Sequence, residues 1–353
     1  MDMAKKYCCE NCGSSMEFDA LSQKLKCLSC GYEIEIKHEE DKVIEHELTQ
    51  HILDNIKVEE KHSSSMECEG CGAIVEVDAT SVATTCGYCG ANYVLASKQI
   101  DVIIPDGVIS FKIDKEQAHE SYRKWIKGRW LAPKELKSLY QIDKIQGIYI
   151  PYWTFDARVD ASYKAMGGKD YTVVKEDKDG NKHTEIRTHW YHTSGSISHF
   201  FDDMLIKASN KLNPNLSNLL DYDTKDVSSY SPDYMSGYCM EIYSVDLKEA
   251  HTEVKKNMKQ VIRRLCERKV LRAYDKVNNL VITNMFYSDE TYKYILAPVY
   301  SSAYSYKGKE FNILINGQSG EVHGEYPKSI FKISLIAAAI ISVVGYIAYQ
   351  FIL

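Results

Sequence analysis

Eight cysteines fall into two blocks of one spacing, Cys9-x2-Cys12-x14-Cys27-x2-Cys30 and Cys68-x2-Cys71-x14-Cys86-x2-Cys89. Two cysteines separated by two residues bracket a tight knuckle from which both thiolates reach one tetrahedral cation. The glycine that follows each knuckle (Gly13, Gly31, Gly72, Gly90) lets the backbone turn back with φ > 0. The fourteen residues between knuckles accommodate a hairpin that returns the second pair to the first. The blocks also match at an offset of 59 residues: Glu10 with Glu69, Glu17 with Glu76, Asp19 with Asp78, Ser22 with Ser81. This is an internal duplication, and it reads as two four-cysteine Zn²⁺ ribbons, each too small to fold without its metal.

Disulfides, a redox pair or an iron–sulfur centre would also use paired cysteines, but the hairpin between equal knuckles favours zinc. All four ligands are thiolates, so no position stays open for water and the metal is structural rather than catalytic. Cys8 would offer an alternative knuckle with Cys12, although only Cys9 matches the second block. Cys239 and Cys266 stand alone and read as packed thiols.

The elements that hold the ribbons are acidic. Residues 1–98 contain nine Lys, no Arg and eighteen Asp and Glu, a balance of −9 within a 353-residue chain of net charge −6. Two four-thiolate sites bring that region to about −13, a surface that repels phosphate. Composition is ordinary for a globular protein, with 44% hydrophobic and 26% charged residues, and the overall charge argues against a dedicated nucleic-acid binder.

At the other end, residues 333–353 carry no charge and, as a helix, would span about 31 Å, the thickness of a bilayer core. Lys328 and Lys332 precede them, so the positive-inside tendency places the bulk of the chain in the cytoplasm with this helix as a single-pass tail anchor in the cytoplasmic membrane. The first residues, Met1-Asp2-Met3-Ala4-Lys5-Lys6, lack the apolar run of a secretory signal, which agrees with a reducing compartment for the thiolates.

The expected organisation is α+β: zinc ribbon 1 at 1–36, an acidic linker with some helix at 37–66, zinc ribbon 2 at 67–98, a β-rich α+β domain at 99–328 and the transmembrane anchor at 329–353. In the main domain, Asp114 with Gln117 and Asp246 with Glu249 mark helix starts, giving helices over about 115–127 and 247–271. Strand-like stretches fill 148–165, 171–175, 183–201, 280–287, 292–306 and 311–315. Hairpin turns are expected at 178–181 and at Asn316-Gly317.

A second duplication is suggested here. The segment 109–114 leads into a helix bearing Ala118-His119, and 241–246 leads into one bearing Ala250-His251. Each helix is followed by a proline in an aromatic strand, Pro151 and Pro298.

His189 and His192 would face opposite sides of a strand and so would not share a metal, leaving them, His183 and His199 as structural residues. No phosphate-binding loop, G-x-S-x-G elbow or H-E-x-x-H helix occurs. Basic residues Lys124, Lys127, Arg129, Lys134 and Lys137 interleave with Trp125 and Trp130. A second basic run from Lys255 to Arg272 follows the longer helix. Such faces suit either anionic lipid or plain solvation. Twenty-six tyrosines against nine phenylalanines suit sheets with amphipathic faces and protein-binding surfaces.

With 130–136 (WLAPKEL), 147–157 (GIYIPYWTFDA) and 316–327 (NGQSGEVHGEYP) added to the ribbons and the anchor, nearly the whole chain resembles bacterial membrane proteins labelled TFIIB-type zinc-ribbon proteins, sometimes mislabelled primosomal protein N′ helicases. Members of that family can be encoded beside a phage-shock protein A homologue. The resemblance implies a platform that recruits this membrane-protecting coat protein, and its co-encoded membrane proteins, under envelope stress. The expected function is therefore a non-enzymatic, membrane-anchored adaptor with no small-molecule substrate. The alternative is a nucleic-acid-binding ribbon of transcription or replication type, which would need a basic ribbon face. An enzyme built on an unfamiliar site in the β domain is a third class.

Overall fold

The computed structural model describes residues 9–36, 43–55, 63–68, 74–76, 93–100, 103–133, 145–176 and 182–352. Strands β1 (Met16–Asp19), β2 (Lys24–Cys27) and β3 (Glu33–Glu35) form a small antiparallel sheet. Strand β4 (His46–Glu47) and helix α1 (Gln50–Asn55) follow, then β5 (Ser63–Cys68), β6 (Ile74–Glu76) and β7 (Tyr93–Ile100). The main body comprises β8 (Gly107–Ile109), α2 (Lys115–Gly128), β9 (Gln146–Glu176), β10 (Lys182–Lys207), the short α3 (Pro214–Ser217), β11 (Val227–Ser229), β12 (Cys239–Glu241), α4 (Leu247–Leu271), β13 (Lys276–Tyr306), β14 (Lys309–Asn316) and β15 (Val322–Gly324). Helix α5 (Ile330–Ile352) ends the described chain. The protein is thus mixed α+β with a β-rich core and one apolar C-terminal helix.

Both long helices begin where their caps place them. Asp114 accepts from Gln117 N at 2.7 Å while the Gln117 side chain returns to Asp114 N, and Asp246 accepts from Glu249 N at 2.8 Å. Each cap satisfies amide groups that the first turn leaves unpaired.

The centre of the large sheet has a local two-fold relation. β8 runs parallel to β13 with Gly107 opposite Ile295 and Val108 opposite Leu296, and β12 runs parallel to β9 with Cys239 opposite Ile148 and Met240 opposite Tyr149. Between them β9 and β13 pair antiparallel, with Tyr149 opposite Pro298 and Pro151 opposite Leu296, so exchanging the two halves reproduces every register. The helices follow suit: Ala118, Tyr122 and Ile126 of α2 are buried at the positions that Ala250, Val254 and Met258 occupy in α4. The backbone repeats as well, since Lys112 and Ile113 N donate to Gly317 O while Ser244 and Val245 N donate to Ala208 O.

A local two-fold between adjacent antiparallel strands stands normal to the sheet, so α2 and α4 lie on one face and run outward in opposite directions. The opposite face is closed by Leu212, Leu216, Leu220 and Tyr222 over Ile148, Ile150, Ile295 and Val299.

Beyond residue 157 the two halves differ. β9 and β13 each extend to 31 residues and, with β10, make a three-stranded arm. Alternate residues Ala157, Val159, Ala161, Tyr163 and Ala165 face α4, and the alanines let Val254, Met258, Ile262 and Cys266 sit close. Burial of Val254, Met258 and Ile262 contributes about 1.5–3 kcal/mol each before entropy is counted. Both neighbours of β9 bulge where they pass Asp156, whose carboxylate accepts from Asp203 N at 2.6 Å and from Thr291 Oγ1 at 2.7 Å. Burial raises the Asp156 pKa, while these donors and nearby Lys293 oppose that rise.

The segments expected as separate strands at 148–165 and 171–175 are one continuous strand, because Gly167 and Gly168 stay in the ladder opposite Tyr191 and Trp190 instead of breaking it. The turn at 178–181 lies outside the described residues. The turn after Asn316 is present, with Gly317 N donating to Pro298 O and Gly320, at φ 77°, donating to Asn316 O.

Candidate metal centre

Two knuckles of the same geometry build the N-terminal site. Cys9 O accepts from Gly13 N and Cys9 N donates to Ser14 O; Cys27 O accepts from Gly31 N and Cys27 N donates to Tyr32 O. Gly13 and Gly31 both have φ 74°, and a Cβ at either would meet nothing within 4 Å. Backbone conformation, not space, therefore calls for glycine there. Strands β1 and β2, paired from Met16 opposite Cys27 to Asp19 opposite Lys24, bring the knuckles together.

The four Sγ atoms of Cys9, Cys12, Cys27 and Cys30 all lie within 4.8 Å of one another, with Cys9–Cys30 and Cys12–Cys27 at 3.5 Å. A tetrahedral ion with metal–sulfur bonds of ~2.3 Å requires sulfur separations of ~3.8 Å, so the cluster fits one such ion. The surroundings favour thiolates: the Tyr32 N–H and the Asn11 amide lower the Cys30 pKa to about 6, and the backbone N–H groups of Cys30 and Ser29 lower Cys27. Cys12 is held up to about 12: the Ser14 N–H favours its thiolate, but the neighbouring sulfurs outweigh it. Cys9 and Cys27 are buried and Cys12 and Cys30 exposed, so a bound metal would sit at the protein surface with all four coordination positions taken.

The ribbon is seated on the main body. Phe18 N donates to Ser236 O at 2.9 Å, Ser236 Oγ donates to Met16 O at 2.8 Å, and the Phe18 ring meets Tyr234 edge-on at 5.1 Å. Gln23, at φ 57°, donates to Phe111 O and accepts from Ser110 Oγ. Burial against this surface raises the Glu17 pKa. None of these docking contacts is visible in the cysteine pattern. The alternation that buries Met16 and Phe18 is the one sequence signal for them.

Of the second block, Cys68 closes strand β5, and Cys71, Cys86 and Cys89 lie outside the described residues, as does Cys8. Strands β5 and β6 pair with Glu67 opposite Ile74, a hairpin that brackets the Cys68-x2-Cys71 segment. β6 continues into the main sheet through β12. Cys266 is buried on the inner face of α4, where burial raises its pKa, and Cys239 is half-buried. His189 and His192 occupy one regular strand three residues apart, opposite Lys169 and Met166. Lys134 and Lys137 lie outside the described residues.

No protein-family model matches the chain, and no solved structure matches it. The chain is 28% identical over 333 residues to a Bacillus subtilis (strain 168) protein named "Uncharacterized protein YdjG", a match covering 94% of this chain and 93% of that one.

Helix α5 is long and apolar enough to cross a membrane: its window Ile330–Ile347 has no residue buried against the rest of the protein. Ser329 N donates to Leu131 O, and Lys332 Nζ donates to the carbonyls of Trp130 and Ala132, fixing the start of α5 to the end of α2.

Proposed function

We propose that this protein is a non-enzymatic, membrane-anchored zinc-ribbon adaptor, held in the cytoplasmic membrane by α5 with its bulk in the cytoplasm, that recruits protein partners to the bilayer. The observation that carries this reading is the pairing of a fully thiolate-lined centre with an apolar helix that the body leaves uncovered. A site whose donors fill every metal position stabilises a surface instead of turning over substrate. An uncovered 18-residue apolar window is costly in water and is relieved by lipid. In this reading the metal is Zn²⁺, a second ion is held by Cys68, Cys71, Cys86 and Cys89, and the central sheet is two copies of one strand–helix–strand module. A coat protein of the phage-shock type is the partner that the family resemblance suggests.

A nucleic-acid-binding ribbon is the second reading. Its support is the basic run on α4, where Lys256, Lys259, Arg263 and Arg264 are exposed. Those charges lie on the arm, whereas both ribbons are acidic, so a ribbon-led grip on phosphate is disfavoured.

Cross-linking in cells, recovery of the membrane-embedded chain and mass spectrometry of what accompanies it test the proposal. The adaptor reading expects membrane-associated proteins whose recovery falls when Cys27 and Cys86 are changed to Ser. Ribbon-dependent recovery of nucleic acid or of replication proteins would overturn it.

A further inference from the structure

The end of α2 and the start of α5 form one surface. Arg129 lies over the ring of Trp125 at 4.8 Å and that of Tyr326 at 5.8 Å, and the two rings meet edge-on at 5.8 Å. Trp130 is 62% exposed and Phe331 75% exposed, with Lys127 and Lys328 exposed beside them. Lys332 ties this surface to the apolar helix through the carbonyls of Trp130 and Ala132. Neither 121–133 nor 326–353 contains a carboxylate, although the chain as a whole has more acidic than basic residues.

A large exposed indole beside an exposed phenylalanine is unfavourable in water. The same groups, rimmed by cations, match the boundary between headgroups and acyl chains. We propose that this collar of Lys127, Arg129, Trp130, Lys328 and Phe331 lies in the headgroup layer of an anionic bilayer and fixes the body's orientation on the membrane. The proposal rests on α5 being the anchor and adds to it a second, peripheral contact. Its occupant is phospholipid because the surface is continuous with the first turn of the membrane helix.

Orientation follows from the two-fold relation. α2 runs outward to the collar and α4 runs the other way along the arm, whose strand β9 covers about 60 Å between Ile150 and Gly168 at ~3.3 Å per residue. Trp190, packed over Gly168, therefore stands at the far end of the arm from the collar.

The test uses the full chain labelled with 5-fluorotryptophan in nanodiscs of neutral lipid, or with about 30% anionic lipid, each carrying a nitroxide at the headgroup. Substitutions Trp130→Phe and Trp190→Phe assign the fluorine signals. The expected result is paramagnetic broadening of Trp130 about fivefold greater than that of Trp190, strengthened by anionic lipid. Lys127→Glu with Arg129→Glu should bring Trp130 down towards Trp190, while Lys259→Glu with Arg263→Glu on α4 should change nothing. Equal, weak broadening of both tryptophans in a chain that stays embedded would overturn the collar and leave the anchor standing. A chain that does not enter nanodiscs at all would overturn the anchor reading, and the collar with it.

Discussion

Trp153 Nε1 donates to the carbonyl of Val245 at 2.9 Å, and both groups are buried. The two-fold relation of the sheet converts Trp153 into Tyr300 and Val245 into Ile113, and the Tyr300 hydroxyl donates to the Ile113 carbonyl, also at 2.9 Å. In each half a long-strand aromatic thus pins the residue just before a helix N-cap. An indole and a phenol perform one task, which ties the start of each helix to the long strand of the other half, α4 to β9 and α2 to β13.

Tyr300→Phe keeps the ring and removes the donor. The expected loss is about 1–2 kcal/mol, since the Ile113 carbonyl loses its buried partner. Urea unfolding of the full chain in detergent measures it. Trp153→Phe should cost more, because it also opens space beside Tyr294 at 4.9 Å and Tyr243 at 5.9 Å.

The N-terminal ribbon should be separable from the core by a change made in the core. A Cβ at Gly147 would meet the Tyr238 ring at 2.5 Å, and Tyr238 stacks on Phe111 at 4.2 Å and supports Phe18. Gly147→Ala should displace Tyr238, cost about 1–3 kcal/mol and raise hydrogen exchange across β1 while the four-cysteine site keeps its metal. Unchanged exchange in β1 would mean that the docking surface does not hold the ribbon.

Much of this was legible in the chain, and the reasons for what was not are physical. Asp114 with Gln117 and Asp246 with Glu249 announced both helices because capping is a local interaction. The cysteines at 9, 12, 27 and 30 announced their cluster because knuckle geometry is local as well. The 31-residue β9 was hidden because Gly167-Gly168 reads as a break, yet the ladder tolerates it where Tyr274 and Trp190 pack over the bare backbone. The seating of Phe18 between Tyr234 and Tyr238 joins residues more than two hundred positions apart, which no short window of sequence contains.

Acid should loosen the arm. Glu290 is half-buried, and burial alone would raise its pKa, but His251 at 2.8 Å and Lys255 at 3.4 Å bring it below the usual value. A carboxylate with a lowered folded pKa contributes stability above its unfolded value near 4.5, and that contribution is lost as pH falls through the folded value. Glu290→Gln should therefore cost on the order of 1 kcal/mol at pH 7, and the difference from wild type should shrink as pH falls below 4.5 and through the lower folded value. Paired unfolding curves of the two proteins cancel any effect of metal loss common to both.

Membrane insertion should depend on the apolar face of α5 and not on the ribbons. Ile340→Arg near the middle of the helix should lower insertion by about 2.5–3.5 kcal/mol and move a large share of the chain out of the alkali-resistant membrane fraction. Cys9→Ser with Cys12→Ser should leave that fraction unchanged.

The adaptor account stands or falls on where the partners of the ribbons reside. The decisive measurement is quantitative mass spectrometry of proteins cross-linked to the ribbons, followed through membrane and soluble fractions, for the intact chain, for a chain lacking α5 and for one with α5 replaced by an unrelated apolar helix. The account predicts that the same proteins are captured in all three and that they leave the membrane fraction only when α5 is missing. Partners that stay at the membrane without α5, or that are captured equally well when Cys27 and Cys86 are serine, would contradict it.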